Sequence, residues 1–154
     1  EECYLVSTGP QIGIRETRRI KGVYTLTAEE MMDNVMFPDA IAMGGYPFDI
    51  HSPDGASNDD KFLKPGTYYS IPYRIMVNNQ VDNLITTGRC VSAEHEAASS
   101  LRVSPIAMAL GHAAGVAAAV TAKEKKAAKD ISIEEVRNIL LKQGAFLTPI
   151  NEYK

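Results

Sequence analysis

Apolar residues fall along this chain in three arrangements: short continuous runs, alternation with polar neighbours, and recurrence every three or four positions. Leu84-Ile85-Thr86-Thr87 is a β-branched run that stops at Gly88, which predicts a buried strand ending where a backbone can approach another molecule closely. Tyr4–Ser7 and Ile12–Arg19 predict two more strands, the second from Ile12 and Ile14 set among polar neighbours. Thr67–Met76 predicts a strand that Pro72, lacking an N–H, confines to an edge or a bulge. Phe37–Ile50 reads as extended chain around a Gly44-Gly45 turn, and Ser52–Gly66, rich in Asp, Ser, Asn, Gly and Pro, as an exposed loop.

Helical signals are local and cluster at the ends of elements. Thr27 with Glu30 three residues on is a capping box, opening a short helix that carries Met31, Met32 and Val35. Ser104-Pro105 reads as a cap and a first-turn proline, opening a helix that runs to about Lys123. Within that helix Ala107, Gly111, Gly115 and Ala119 recur every fourth residue, so one face is almost bare and suits close packing against a sheet, a helix or a cofactor. Ser132 and Glu135 cap a last helix whose Ile133, Val136, Ile139 and Leu140 form an apolar stripe, ending at Gly144. Lys123–Asp130 reads as a solvated linker or helix end.

Composition narrows the classes of function. The chain has 154 residues, 45% hydrophobic and 23% charged, with a net charge of −3, so it has enough apolar content for a core and no basic surface for nucleic acid. Gly111, His112 and Gly115 interrupt the alanine-rich stretch, so no apolar run is expected to reach the ~18 residues of a membrane span. Cys3 and Cys90 form no C-x-x-C pair and support neither a zinc site nor a dithiol; Cys90 reads as a small buried cysteine, and a disulfide stays open. His51, His95 and His112 share no metal-binding spacing, and no metal is expected.

Four ordered segments carry a further signal: RETRRIKGVYTLT (Arg15–Thr27), FPDAIAMGGYPFDIH (Phe37–His51), YSIPYRIM (Tyr69–Met76) and NLITTGRCVSAEHEAASSLRVSPIAMALGHAAGVAAA (Asn83–Ala119). Together they resemble the C-terminal part of the FAD-dependent oxidoreductases related to glutathione-reductase-type flavoproteins. The resemblance implies an α/β (α+β) fragment: a β-rich substrate-side segment with a short helix over residues 1–80, then the C-terminal strand and helix of an FAD-binding Rossmann-like domain, with the terminal helix, over residues 81–154. The border is soft by about ten residues. A dinucleotide fold of this type carries G-x-G-x-x-G after its first strand. That pattern does not occur here, so the resemblance implies a piece of a longer bacterial enzyme whose missing N-terminal half supplies most of the FAD site. It also implies a small-molecule substrate, self-association through the bare helix face, and little activity for the piece alone. The compartment defaults to the cytoplasm, with periplasm or secretion left open.

By the same resemblance Gly88, Arg89, Ser100, Leu101, Arg102 and Val103 lie on the cofactor side, with Gly111 and Gly115 allowing close packing. The helix start after Val103 can aim backbone N–H groups at the flavin edge where charge builds on reduction. On the substrate side Arg15, Arg18, Arg19, Tyr73 and Arg74 are candidates to face an anionic or hydroxylated substrate, because guanidinium groups bind carboxylates in pairs of bonds. Arg18 and Arg19 point opposite ways in any regular strand. His51 and His95 are proton-transfer candidates, and the catalytic set is His51, Arg19, Tyr73 and Arg74. A second class stays open: members of this family also bear a xanthan lyase label, and a polysaccharide lyase needs a base and a charge-neutralising group, for which Tyr73, Arg74 and His51 would serve without flavin.

Overall fold

The computed structural model describes residues 3–50 and 62–147. Its elements run α1 (Ala28–Met32), β1 (Ala40–Gly44), β2 (Tyr69–Pro72), α2 (His95–Leu101), α3 (Ser104–Glu124) and α4 (Ile133–Lys142), with 3-10 turns at Tyr73–Ile75, Gly88–Cys90 and Ala128–Asp130. The two strands pair antiparallel, with Ala42 opposite Ile71, Met43 opposite Ser70 and Gly44 opposite Tyr69, and the register is irregular between Ala40 and Ala42. Every residue of both strands is buried. A sheet of two strands cannot bury both faces unaided; α3 and α4 pack on β1 and on each other, while α1 packs on β2.

α1 and α4 form where their caps are written, whereas α3 takes Val103 and not Ser104 as its N-cap, and no side chain caps it. Thr27 accepts from the Glu30 N–H while the Glu30 carboxylate accepts from the Thr27 N–H, closing the capping box of α1. Ser132 accepts from the Glu135 N–H at the start of α4, and Val136 and Leu140 bury its stripe. Downstream of α4, Gly144 takes φ +83, the left-handed conformation that ends helices cheaply only at glycine. α3 ends one residue beyond its expected limit, with Lys125 as a left-handed cap.

Strand expectations fare differently. Tyr4–Ser7 and Ile12–Arg19 form no strand, and Tyr4 and Ile12 are 84% and 89% exposed. A strand needs a partner for its backbone donors and acceptors, and alternation alone does not supply one. The expected Thr67–Met76 strand contracts to Tyr69–Pro72, because the turn at Tyr73–Ile75 follows Pro72 directly. Leu84–Thr87 is extended without a ladder; the Thr86 N–H donates to the Met76 carbonyl at 2.8 Å. In place of a wide sheet, extended segments are stitched by single bonds: Val23 N–H to the Val77 carbonyl (2.8 Å), Ser92 N–H to Ile75 (2.9 Å), and Leu26 N–H to Ser92 with Glu94 N–H returning to Leu26 (3.1 and 2.9 Å). Gly22 is obligatory in this seam, since a Cβ there would lie 2.7 Å from the Ser92 Cβ.

One continuous core joins Leu26, Met31, Phe48, Tyr69 and Ile71 to Leu101, Leu110, Val120, Val136 and Leu140. At about 25 cal/mol per Å² of apolar surface, each such fully buried large side chain contributes roughly 1.5–3 kcal/mol. Three expectations are corrected here. α2 was not foreseen; Ser99, Ser100 and Leu101, expected as the approach to the long helix, are themselves helical. Cys90 is exposed rather than buried, and Cys3 and Cys90 are both free thiols. α3, at 21 residues, is long and apolar enough by composition to cross a bilayer, because single glycines and a histidine do not outweigh its alanines and valines; only 28% of its most apolar window is buried.

Candidate functional site

Two neighbouring features of this fold concentrate chemistry. The first is the start of α3. Val103 is its N-cap in extended conformation (φ −69, ψ 146), no side chain caps the helix, and Pro105 occupies the first turn. The free N–H groups and the positive end of the helix dipole therefore face outward. They open beside a cleft of about 340 Å³ lined by Gly44, Gly45, Tyr46, Tyr68, Val103 and Pro105. The cleft wall is closely packed. Tyr69 lies so close to Gly44 that a Cβ there would come within 2.4 Å of its ring. Ser100 bonds the Tyr69 hydroxyl at 2.7 Å and donates to the Tyr46 carbonyl at 2.6 Å, tying α2 to the end of β1. Burial raises the ionisation of the Tyr69 phenol far above its ordinary range, with the Ser100 bond only partly opposing it.

The second feature is a carboxylate ringed by cations. Glu16 accepts from Arg19, lies 3.0 Å from His95 Nδ1, and has Arg102 Nη1 at 3.7 Å from its other oxygen. Burial raises the Glu16 carboxyl, but the bond from His95 and the Arg19 charge outweigh it, so the group lies below its ordinary range. Arg102 also donates to the Asp49 carbonyl at 3.1 Å, and its guanidinium lies 3.9 Å from the Asp49 carboxylate, which Arg15 approaches at 4.0 Å. Arg102 immediately precedes the N-cap of α3, so this network fixes the approach to the helix start.

The other anticipated residues divide between these features and the core. Tyr73 is buried, its hydroxyl donates to the Ala128 carbonyl at 2.8 Å, and burial pushes its phenol up. Arg74 is clamped by Asp39 through Nε at 2.9 Å and Nη2 at 3.2 Å, and its guanidinium lies 4.6 Å from the Tyr24 ring centre and 5.9 Å from that of Phe37. The Asp39 bond raises the Arg74 pKa further. Tyr73 and Arg74 thus line a separate cleft with Asp39 and Lys129 rather than joining Arg19. His51 lies outside the described residues. Gly88 takes φ +63 and opens the turn that presents Arg89, whose guanidinium donates to the Ile14 carbonyl at 2.7 Å. Leu101 is core. Gly111 and Gly115 are exposed, and beyond the backbone of their own helix no atom lies within 4 Å of an added Cβ, so their close packing is not realised among the described residues.

Sequence reasoning missed Glu16, Asp39 and Asp49, the carboxylates that organise the arginines. Glu16 had a readable signal as the single acid inside R-E-T-R-R. Asp39 and Asp49 had none, because their partners lie 35 and 53 residues away. A family model described as FAD dependent oxidoreductase matches residues 1–140. No curated protein and no solved structure matches the chain.

Proposed function

Since the chain belongs to the FAD dependent oxidoreductase family, we propose that it is the C-terminal part of a glutathione-reductase-type flavoenzyme that exchanges a hydride or electron pair with a small organic substrate. The observation that supports a flavin here is the start of α3, which no side chain caps, beside an aromatic cleft. A flavin held there would supply two-electron acceptor and donor chemistry at its ring. The donor set fits one end of such a group: Tyr46 and Tyr68 offer flat apolar contact, and the first-turn N–H groups offer donors to an edge that gains negative charge. Gly44 and Gly45 keep the opposing backbone free of side chains. Arg102, held by Glu16 and Asp49, positions Val103 and does not itself need to touch the ring. In this reading a G-x-G-x-x-G segment preceding these residues binds the adenosine half, and the sheet-poor seam completes a Rossmann-like domain there.

The reading is tested on the protein purified at its natural length. Oxidised flavin bands in its visible spectrum are expected. Ser104→Asp places a carboxylate at the exposed first position of α3, which stabilises the helix by up to about 1 kcal/mol yet opposes an electron-rich flavin edge. The variant should therefore unfold later and retain less flavin than the parent. A colourless protein that takes up no added FAD overturns the reading, and a variant with unchanged flavin affinity removes the helix start from the site. No observation favours the lyase alternative, since the Tyr73 hydroxyl and the Arg74 guanidinium are both already engaged.

A further inference from the structure

Three arginines that the sequence assigned to different sides of the molecule converge on one cleft. Arg15 and Arg18, from the N-terminal arm, and Arg89, from the Gly88–Cys90 turn, line a cavity of about 290 Å³ together with Glu16 and Cys90. Their charges are poorly neutralised. Among the described residues Arg15 has only the 4.0 Å contact with Asp49, and its side chain is 59% exposed. Arg89 uses one nitrogen on the carbonyls of Ile14 and Arg15, both uncharged acceptors. Arg18 is exposed and makes no hydrogen bond or ion pair among the described residues. The one carboxylate of the cleft, Glu16, is already shared between Arg19, His95 and Arg102. Among the described residues these three cations, in a chain of net charge −3, have as counter-charge the distant Asp49 and the shared Glu16, and their planar donor forks match a carboxylate or phosphate.

We propose that this cleft is an oxyanion-binding site in which Arg15, Arg18 and Arg89 grip a carboxylate or phosphate. The site is distinct from the start of α3 and stands without the flavin reading; it needs only an anion. Two sources share the chemistry, the diphosphate of a dinucleotide and the carboxylate of a substrate. Arg89 holds the carbonyls of Ile14 and Arg15, so it both shapes the arm and faces the anion. Arg18, with no hydrogen bond or ion pair among the described residues, is the residue that serves the anion alone.

Cys90 lines the same cleft and is an exposed free thiol, which makes it a reporter that needs no catalysis. In a Cys3→Ser chain, the rate of Cys90 alkylation by uncharged iodoacetamide is measured with pyrophosphate, with succinate, and with chloride at matched ionic strength. An anion at twice its dissociation constant leaves about a third of the sites free, so alkylation should slow roughly threefold. Arg18→Ala, which removes no hydrogen bond or ion pair among the described residues, should leave the unfolding midpoint unchanged and abolish the protection. Protection by pyrophosphate alone identifies a dinucleotide diphosphate as the source; protection by succinate alone identifies a substrate carboxylate. Equal rates in all three salts, or protection that survives Arg18→Ala, overturn the proposal. Binding of riboflavin, which carries no phosphate, is followed separately by its fluorescence, so that failure of the flavin reading and failure of the anion site give different results.

Discussion

Gly44 sits opposite Tyr69 in the β ladder, and an added methyl group would lie 2.4–2.5 Å from the phenol ring. At Gly115 on α3 an added methyl group would meet nothing within 4 Å beyond the backbone of its own helix. The same substitution should therefore have opposite signs. Gly44→Ala forces a buried ring from its seat and should destabilise the chain by about 1–3 kcal/mol, the cost typical of overpacking. Gly115→Ala removes a helix-interior glycine in open space and should stabilise it by about 1 kcal/mol. Urea unfolding of both variants checks the pair, and a destabilised Gly115→Ala would mean that another surface covers that face in solution. Neither sign could be read from the sequence. Gly44-Gly45 looked like a turn and Gly111/Gly115 like a packing face, because a glycine's role depends on what lies opposite it, and that is decided by pairings far along the chain.

At the level of elements, legibility followed the range of the interactions that make them. α1 and α4 carry their capping signals within four residues and start where expected, though α1 ends at Met32 and leaves Val35 outside; α3 keeps its first-turn proline and nearly its expected length, but its N-cap is Val103 and not Ser104. α2 escaped because its N-cap, Glu94, makes no side-chain cap bond and its serines are helix-neutral on their own; burial of Ala97–Leu101 in the core stabilises it instead. The strands were the least legible, since each depends on a partner that no local pattern names. Of the site, the cations and the α3 start were readable as residues. Their grouping was not, because Glu16, Asp39 and Asp49 decide which arginines are spent and which remain open. Ser132→Ala tests the local logic directly: it removes the acceptor for the Glu135 N–H and should cost about 1 kcal/mol, measured as a shift in the urea midpoint with unchanged slope. No shift would place the stability of α4 wholly in its packing on α3 and β1.

For the molecule as a whole, charge sets a stability window. Burial raises the Glu16 and Glu30 carboxyls, but their hydrogen bonds, from His95 and Arg19 at Glu16 and from Tyr24 and Thr27 at Glu30, bring both below the ordinary range. A depressed carboxylate contributes stability above its unfolded pKa of about 4.3 and loses it as pH falls through the folded value. Tyr69 and Tyr73 shift the other way through burial; their contribution is complete below the unfolded phenol value of about 10 and is lost as pH rises through the folded one. The urea midpoint should therefore fall on both sides of a neutral plateau, and a midpoint that rises below about pH 4 would contradict the acid half. The seat of Tyr69 against Gly44, with its hydroxyl held by Ser100, has a practical outcome on the alkaline side. The chain contains no tryptophan, so tyrosine dominates the near-ultraviolet absorbance of the polypeptide, and burial delays the ionisation of the two core phenols beyond that of exposed ones. Late phenolate absorbance from Tyr69 is thus an intrinsic optical signal of the moment when the sheet parts from α2, and that from Tyr73 of the moment when the turn after β2 parts from Ala128.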